Sequence, residues 1–167
     1  MKLKTLSLIF LAALAGCQST IGQNVPTDVR ISIYNDIKHG YSYRPTFAIA
    51  DKSFIQINST NWKEEKIFTS VTAETADATV AVIDKYLAWN KQATENQHIL
   101  EKKIAKVGHF TYTFFSGNEN NHFLVSQVCE VCESVFLDRE NAIKWKQQII
   151  DWQSGRVNTH DISSEYK

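Results

Sequence analysis

The hydrophobic period switches to that of a helix twice along this chain, and those switches limit the folds open to it. From about Thr75 to Gln92, Ala76, Val80, Ile83 and Leu87 recur at three- and four-residue steps, with Val82, Tyr86 and Trp89 widening the same face. From Arg139 to Gln153, Ala142, Trp145, Ile149 and Trp152 repeat the pattern. Residues so spaced share one side of an α-helix. Elsewhere the apolar residues alternate, which is the spacing of a half-buried strand. Val29, Ile31 and Ile33 line one face of a strand ending at Tyr34. Short strands follow at 46–50 and 54–58 about a tight turn at Asp51-Lys52, and another runs over 66–71. Ile104 to Phe115 reads as one long strand with a bulge at Gly108, returning through the polar turn 116–121 into a partner over 122–128. A last short strand lies at 134–137. The prediction is an α+β fold, an antiparallel β-sheet with two amphipathic helices packed on one face.

Local signals mark the ends of the second helix. Asp138 is placed as its N-cap and Gly155 as the residue that stops it. The two helices end alike, in Leu87-Ala88-Trp89-Asn90 and Ile150-Asp151-Trp152-Gln153. Unequal distances back to Phe68 and Phe136 make coincidence the better reading of this echo than a duplicated unit.

The first 28 residues follow neither period. Lys2 and Lys4 precede the apolar run Leu6–Leu14, and small residues lead into a cysteine in Leu14-Ala15-Gly16-Cys17. The run is short of the roughly 20 apolar residues a membrane-spanning helix needs. This segment resembles the signal peptide and lipobox of bacterial lipoproteins. The resemblance implies export, cleavage after Gly16, lipid attachment at Cys17 and a membrane held through that anchor. Gln18 stands where an aspartate commonly marks inner-membrane retention, so the same resemblance favours the outer membrane, facing the periplasm. Residues 18–28 are polar and read as a flexible tether. The resulting division is a signal peptide over 1–16, lipidated cysteine and tether over 17–28, one globular domain over 29–155 and a polar tail over 156–167.

Composition narrows the partners. Without Lys2 and Lys4 the 18 basic residues become 16 against 18 acidic, and nothing forms the basic patch that nucleic acid requires. Two prolines and six glycines, with four tryptophans, suit a packed domain. Beyond Cys17 the cysteines are Cys129 and Cys132. In an oxidising compartment such a pair reads as a disulfide, provided that Glu130-Val131 forms a tight turn, because residues three apart in a strand lie about 10 Å apart. Two sharper readings compete. One is a thiol–disulfide oxidoreductase, for which strand-like flanks are the wrong setting. The other is half a zinc site completed by His109 or His122.

The sequence carries no Gly-x-Ser-x-Gly elbow, His-Glu-x-x-His or phosphate-cradling glycine loop, and no cofactor is called for. Asp36 and His39, three apart, read as an ordinary polar loop. The segment Tyr34–Arg44 holds the tyrosine, arginine, serine and asparagine that binding loops favour. Trp62 is the tryptophan no periodic core explains, and it suits a partner contact or a membrane interface. Tyr41, Tyr43, Arg44 and Trp62 are therefore the candidate contacts of a non-catalytic module that binds an envelope protein: an assembly accessory, an inhibitor or an immunity-type protein. The alternatives are the oxidoreductase and a structural lipoprotein contacting the cell wall.

Overall fold

The computed structural model describes residues 22–35, 37–157 and 159. The signal peptide, Cys17, Asp36 and most of the polar tail lie outside them. The chain is α+β, with its strands divided between two antiparallel sheets. The elements are β1 (Gln23–Val25), β2 (Ile31–Asn35), β3 (Gly40–Arg44), β4 (Phe47–Ala50), β5 (Phe54–Thr60), β6 (Lys66–Thr72), α1 (Ala76–Glu95), β7 (Glu101–Val107), β8 (Phe110–Asn118), β9 (Asn121–Gln127), β10 (Val135–Leu137) and α2 (Arg139–Gln153). One sheet has the order β1-β4-β5-β6, the other β3-β2-β10-β9-β8-β7.

The single sheet expected from the sequence is two, because β1 and β4–β6 pair in one set and β2, β3 and β7–β10 in another, and four further expectations are corrected. The supposed tether contributes β1, whose Val25 is buried and pairs with Ala48; a three-residue strand gives too short an alternation to register in sequence. The long strand ending at Phe115 is two strands. Gly108 takes φ 56° in the turn between β7 and β8, and the register irregularity falls instead between Lys103 and Ala105. The loop after Tyr34 is the turn and second strand of a hairpin, β2–β3. The tail also starts with order: the Arg156 and Val157 amides donate to the Asp151 carbonyl, and Val157 packs against the core.

The echo between the halves is architectural. β1-β4-β5-β6 followed by α1 has the same strand order as β7-β8-β9-β10 followed by α2. The β2–β3 hairpin is the addition, inserted between β1 and β4 in sequence and paired to β10 in space.

The predicted stripe of α2 is buried, while that of α1 is rotated: Val80, Leu87 and Trp89 are only partly buried, and Thr79, Asn90 and Ala93 take the inward side. Thr79, Val82, Ile83, Tyr86, Asn90 and Ala93 are buried on α1; Ala142, Trp145, Ile149 and Trp152 are buried on α2. Their partners include Ile55, Ile57 and Val71 from the first sheet and Ile31, Tyr112, Phe114 and Leu124 from the second. Polar ties lock the layers together. The Tyr86 hydroxyl donates to the His122 carbonyl (2.8 Å), and the Trp152 indole donates to the Asp51 carbonyl (2.7 Å). The Asp51 carboxylate accepts the Ser53 and Phe54 amides, closing the β4–β5 turn as the sequence suggested. Among the described residues no helix is long and apolar enough to cross a membrane.

Candidate functional site

The β2–β3 hairpin gathers the four candidate contacts. Its register pairs Tyr34 with Tyr41 and Ser32 with Tyr43. Directly opposed residues share a face, so Tyr34, Tyr41, Ser32 and Tyr43 lie on the side of the sheet away from buried Ile31 and Ile33, whereas Arg44 pairs with Ile31. Phe136 of β10 pairs with Ser32 and continues that face, as do Val125, Phe123 and Phe115 further along.

Tyr41 is the centre of an aromatic cluster. Its ring lies 5.3 Å from Tyr34, 4.2 Å from Phe123 and 6.0 Å from Phe136, between ring centroids. Phe123 faces outward and is nonetheless buried, with the Tyr41 ring packed against it. Gly117 makes room for the ring: a Cβ there would stand 2.8 Å from Tyr41 Cε2. Burial, and secondarily the neighbouring Tyr34, raises the Tyr41 pKa.

Tyr43 is held by charge. Its hydroxyl donates to Asp138 Oδ2, while the Arg30 guanidinium lies 4.1 Å from its ring centroid. The hydrogen bond to Asp138, then burial, pushes the Tyr43 pKa up to about 12. Asp138 is also the N-cap predicted for α2: its Oδ1 accepts the Asn141 amide at 2.9 Å. Asn141 in turn accepts the Arg30 amide at 2.7 Å. One carboxylate thus fixes both a helix start and a surface tyrosine.

Arg44 and Trp62 are brought together, with the guanidinium 4.7 Å from the indole centroid. The arginine was expected to offer directed hydrogen bonds to a partner. Instead it makes them inside the molecule, to Thr60 O (3.1 Å), Thr60 Oγ1 (3.2 Å), Asn61 O (3.1 Å) and Glu64 Oε1 (3.1 Å). Its role is to tie β3 to the β5–β6 turn. Trp62 donates its indole N–H to the Tyr34 carbonyl (2.9 Å) and leaves 47% of its surface exposed. Tyr34, Tyr41 and Tyr43 thus share the outward face, while Trp62 reaches the hairpin through the Tyr34 carbonyl and through Arg44, which pairs with Ile31 and belongs to the other face. Sequence reasoning did not single out Tyr34, Phe123 or Phe136. The available signal was the alternation of Tyr41 and Tyr43, which marks β3 as a strand and places its opposite number on β2.

Cys129 and Cys132 form a disulfide in the β9–β10 connection, with Cα atoms 5.1 Å apart. The required tight turn is present, as the Cys132 amide donates to the Cys129 carbonyl at 3.0 Å. Gln127 Nε2 reinforces it by donating to the Cys132 carbonyl at 2.7 Å. The pair stands on a loop rather than at a helix N-terminus, where a thiolate would be stabilised. Sulfurs bonded to each other are not thiolate ligands, and His122 is engaged through Nδ1 with Ser116 Oγ at 2.8 Å. His39 sits at φ 48° in the hairpin turn; Asp36 is outside the described residues.

A second concave feature, an open groove of about 550 Å³, lies between the end of α1, the β8–β9 turn and the start of α2. Lys91 and Arg139 face Glu95, Asp138 and Glu140 around it, so it presents no single charge. No protein-family model, curated protein or solved structure matches this chain.

Proposed function

We propose that this chain is a lipid-anchored envelope protein, held at the outer membrane through Cys17, whose β2–β3 hairpin face binds another protein without catalysis. The observation that carries this reading is the outward hairpin face, where Tyr34 and Tyr43 stay 44% and 43% exposed beside the Tyr41 cluster, with the half-exposed Trp62 bonded to the Tyr34 carbonyl at its margin. Large amphipathic rings with few rotatable bonds bind at low entropy cost, and aromatic anchors supply most of the energy at protein interfaces. In this reading both helices cover the inward face of the six-stranded sheet, so the aromatic face is free for the partner. Among the described elements the hairpin is the one outside the repeated architecture, which suits a recognition device added to a scaffold.

The test is photo-crosslinking in intact envelopes from a benzophenone side chain at position 34. A discrete protein adduct, lost on Trp62→Ala or Tyr43→Ser while the variants still unfold cooperatively well above the crosslinking temperature, supports the reading. Absence of any protein adduct overturns it.

The exposed setting of Cys129 favours a second reading, in which the 129–132 bridge exchanges with other thiols. Its reduction potential decides. A value below about −300 mV marks a structural bridge and removes the oxidoreductase.

A further inference from the structure

The outer face of the four-stranded sheet is a separate surface from the hairpin. Register fixes its membership. Phe47 of β4, Asn58 of β5 and Phe68 of β6 form one cross-strand row; Ile49, Gln56 and Ser70 form the next. Phe54 and Thr72 continue it on one side, Thr60 and Lys66 on the other. The inward alternates Ala48, Ile55, Ile57 and Val71 are buried in the core. Phe47 and Phe68 are 55% and 40% exposed. Among the described strand residues this face is aromatic, aliphatic, amide or hydroxyl, with Lys66 as the one charged residue; the Arg44–Glu64 ion pair reaches only its Thr60 end. The strands β1, β4, β5 and β6 contain no acidic residue.

The chain enters the fold from that side. A Cβ on Gly22 would lie 2.9 Å from Phe54 Cζ and 3.4 Å from Ile49 Cβ, so the backbone leading into β1 runs against two outward-facing side chains. A side chain at position 22 would have to displace the end of the Phe54 ring. Five peptide steps separate Cys17 from Gly22, no more than about 18 Å even when fully extended. A lipid on Cys17 therefore sets the bilayer surface within reach of this face.

From these observations we infer that the Phe47–Asn58–Phe68 face lies against the bilayer interface and fixes the orientation of the domain on the membrane. The inference rests on lipidation of Cys17 as proposed above. Aromatic rings and amides without negative charge suit the headgroup boundary, where a carboxylate would be repelled by anionic headgroups. A surface too small to hold a soluble protein on a membrane is sufficient to orient one already tethered there, because the tether supplies the local concentration. The hairpin face, on the other sheet, is then displayed to partners in a fixed direction.

The test places a benzophenone amino acid at position 47, 68 or, as control, 131, in the full chain reconstituted into phosphatidylethanolamine–phosphatidylglycerol vesicles. Val131 is on the β9–β10 loop and almost fully exposed. Phospholipid adducts several-fold more abundant at 47 and 68 than at 131 support the orientation. Intact mass spectrometry of the same sample is read first. An unmodified Cys17 overturns the anchor and this orientation with it. A lipidated Cys17 with no excess of lipid adducts at 47 and 68 overturns the orientation alone, and protein adducts there assign the face to a second copy or a protein partner. Phe47→Ser and Phe68→Ser, checked for unchanged thermal unfolding, should raise the accessibility of Lys66 to a soluble amine reagent on vesicles and not in detergent. No change on vesicles also overturns it.

Discussion

The Tyr43 hydroxyl and the amide of Asn141 share a single carboxylate, that of Asp138. A strand at the sheet edge and the first turn of α2 are thereby coupled through one side chain. Asp138→Ala should cost about 1–2 kcal/mol, since it removes a helix cap together with the tyrosine's acceptor. Tyr43→Phe should cost less, about 0.5–1 kcal/mol, because the ring and its Arg30 contact remain. In a double-mutant cycle by urea unfolding the two effects should fall short of additive.

The same bond sets an alkaline response. Tyr43 titrates higher in the fold, about 12 against 10.0, so the folded state favours the neutral phenol. Its contribution is present in full below pH 10 and fades as pH rises from there through 12. Tyr43→Phe should flatten the loss of stability between those values, followed by thermal unfolding across the range.

Arg44→Ala should destabilise by about 2 kcal/mol, the scale of hydrogen bonds made by a charged donor. Arg44→Lys should recover only part, because one ammonium cannot span the Thr60, Asn61 and Glu64 oxygens together. Denaturation midpoints of both variants check this. An Arg44→Ala protein as stable as the parent would return the arginine to the role the sequence suggested.

Gly117→Ala should act on Tyr41 rather than on its own strand. The added methyl would meet the ring at 2.8 Å and push it off Phe123. A stability loss of about 1 kcal/mol is expected from the overpacking. It should shrink in the Gly117→Ala/Tyr41→Ala double variant relative to Tyr41→Ala alone.

His122 gives the acid side. Buried against Phe114, its ring titrates below the ordinary 6.5, because burial disfavours the imidazolium. The unfolded chain therefore takes up the proton first, and stability falls as pH drops below 6.5 toward the lower folded value. His122→Asn should remove that slope; urea midpoints at pH 5 and pH 7.5 measure it.

Much of this architecture could be read from residue spacing. The interval of α2, its Asp138 cap and Gly155, at φ 72°, were placed by local chemistry that tertiary structure did not override. β1 and β3 escaped because the alternation of each was short or polar: Gln23-Asn24-Val25 holds one apolar residue, and Gly40–Arg44 is half-exposed on both faces. Of the site, Tyr41, Tyr43 and Trp62 were legible as residues that the core did not need. Arg44's internal role was not, because its four acceptors belong to a turn sixteen to twenty residues away. Nor was the shared surface, which depends on the pairing of Tyr34 with Tyr41 and of Ser32 with Phe136.

The pairing of Ser32 with Phe136 also sets a timetable. A nascent chain arriving N-terminus first carries β2 and β3 long before the strand that receives them, and contacts so distant along a polypeptide form late. The proposed surface therefore gains Phe136 only when the C-terminal portion has emerged and settled. A copy truncated before β10 would keep the hairpin pairing but lack the strand that docks it, so a partner reading Tyr41 together with Phe136 would also read whether the molecule was made whole.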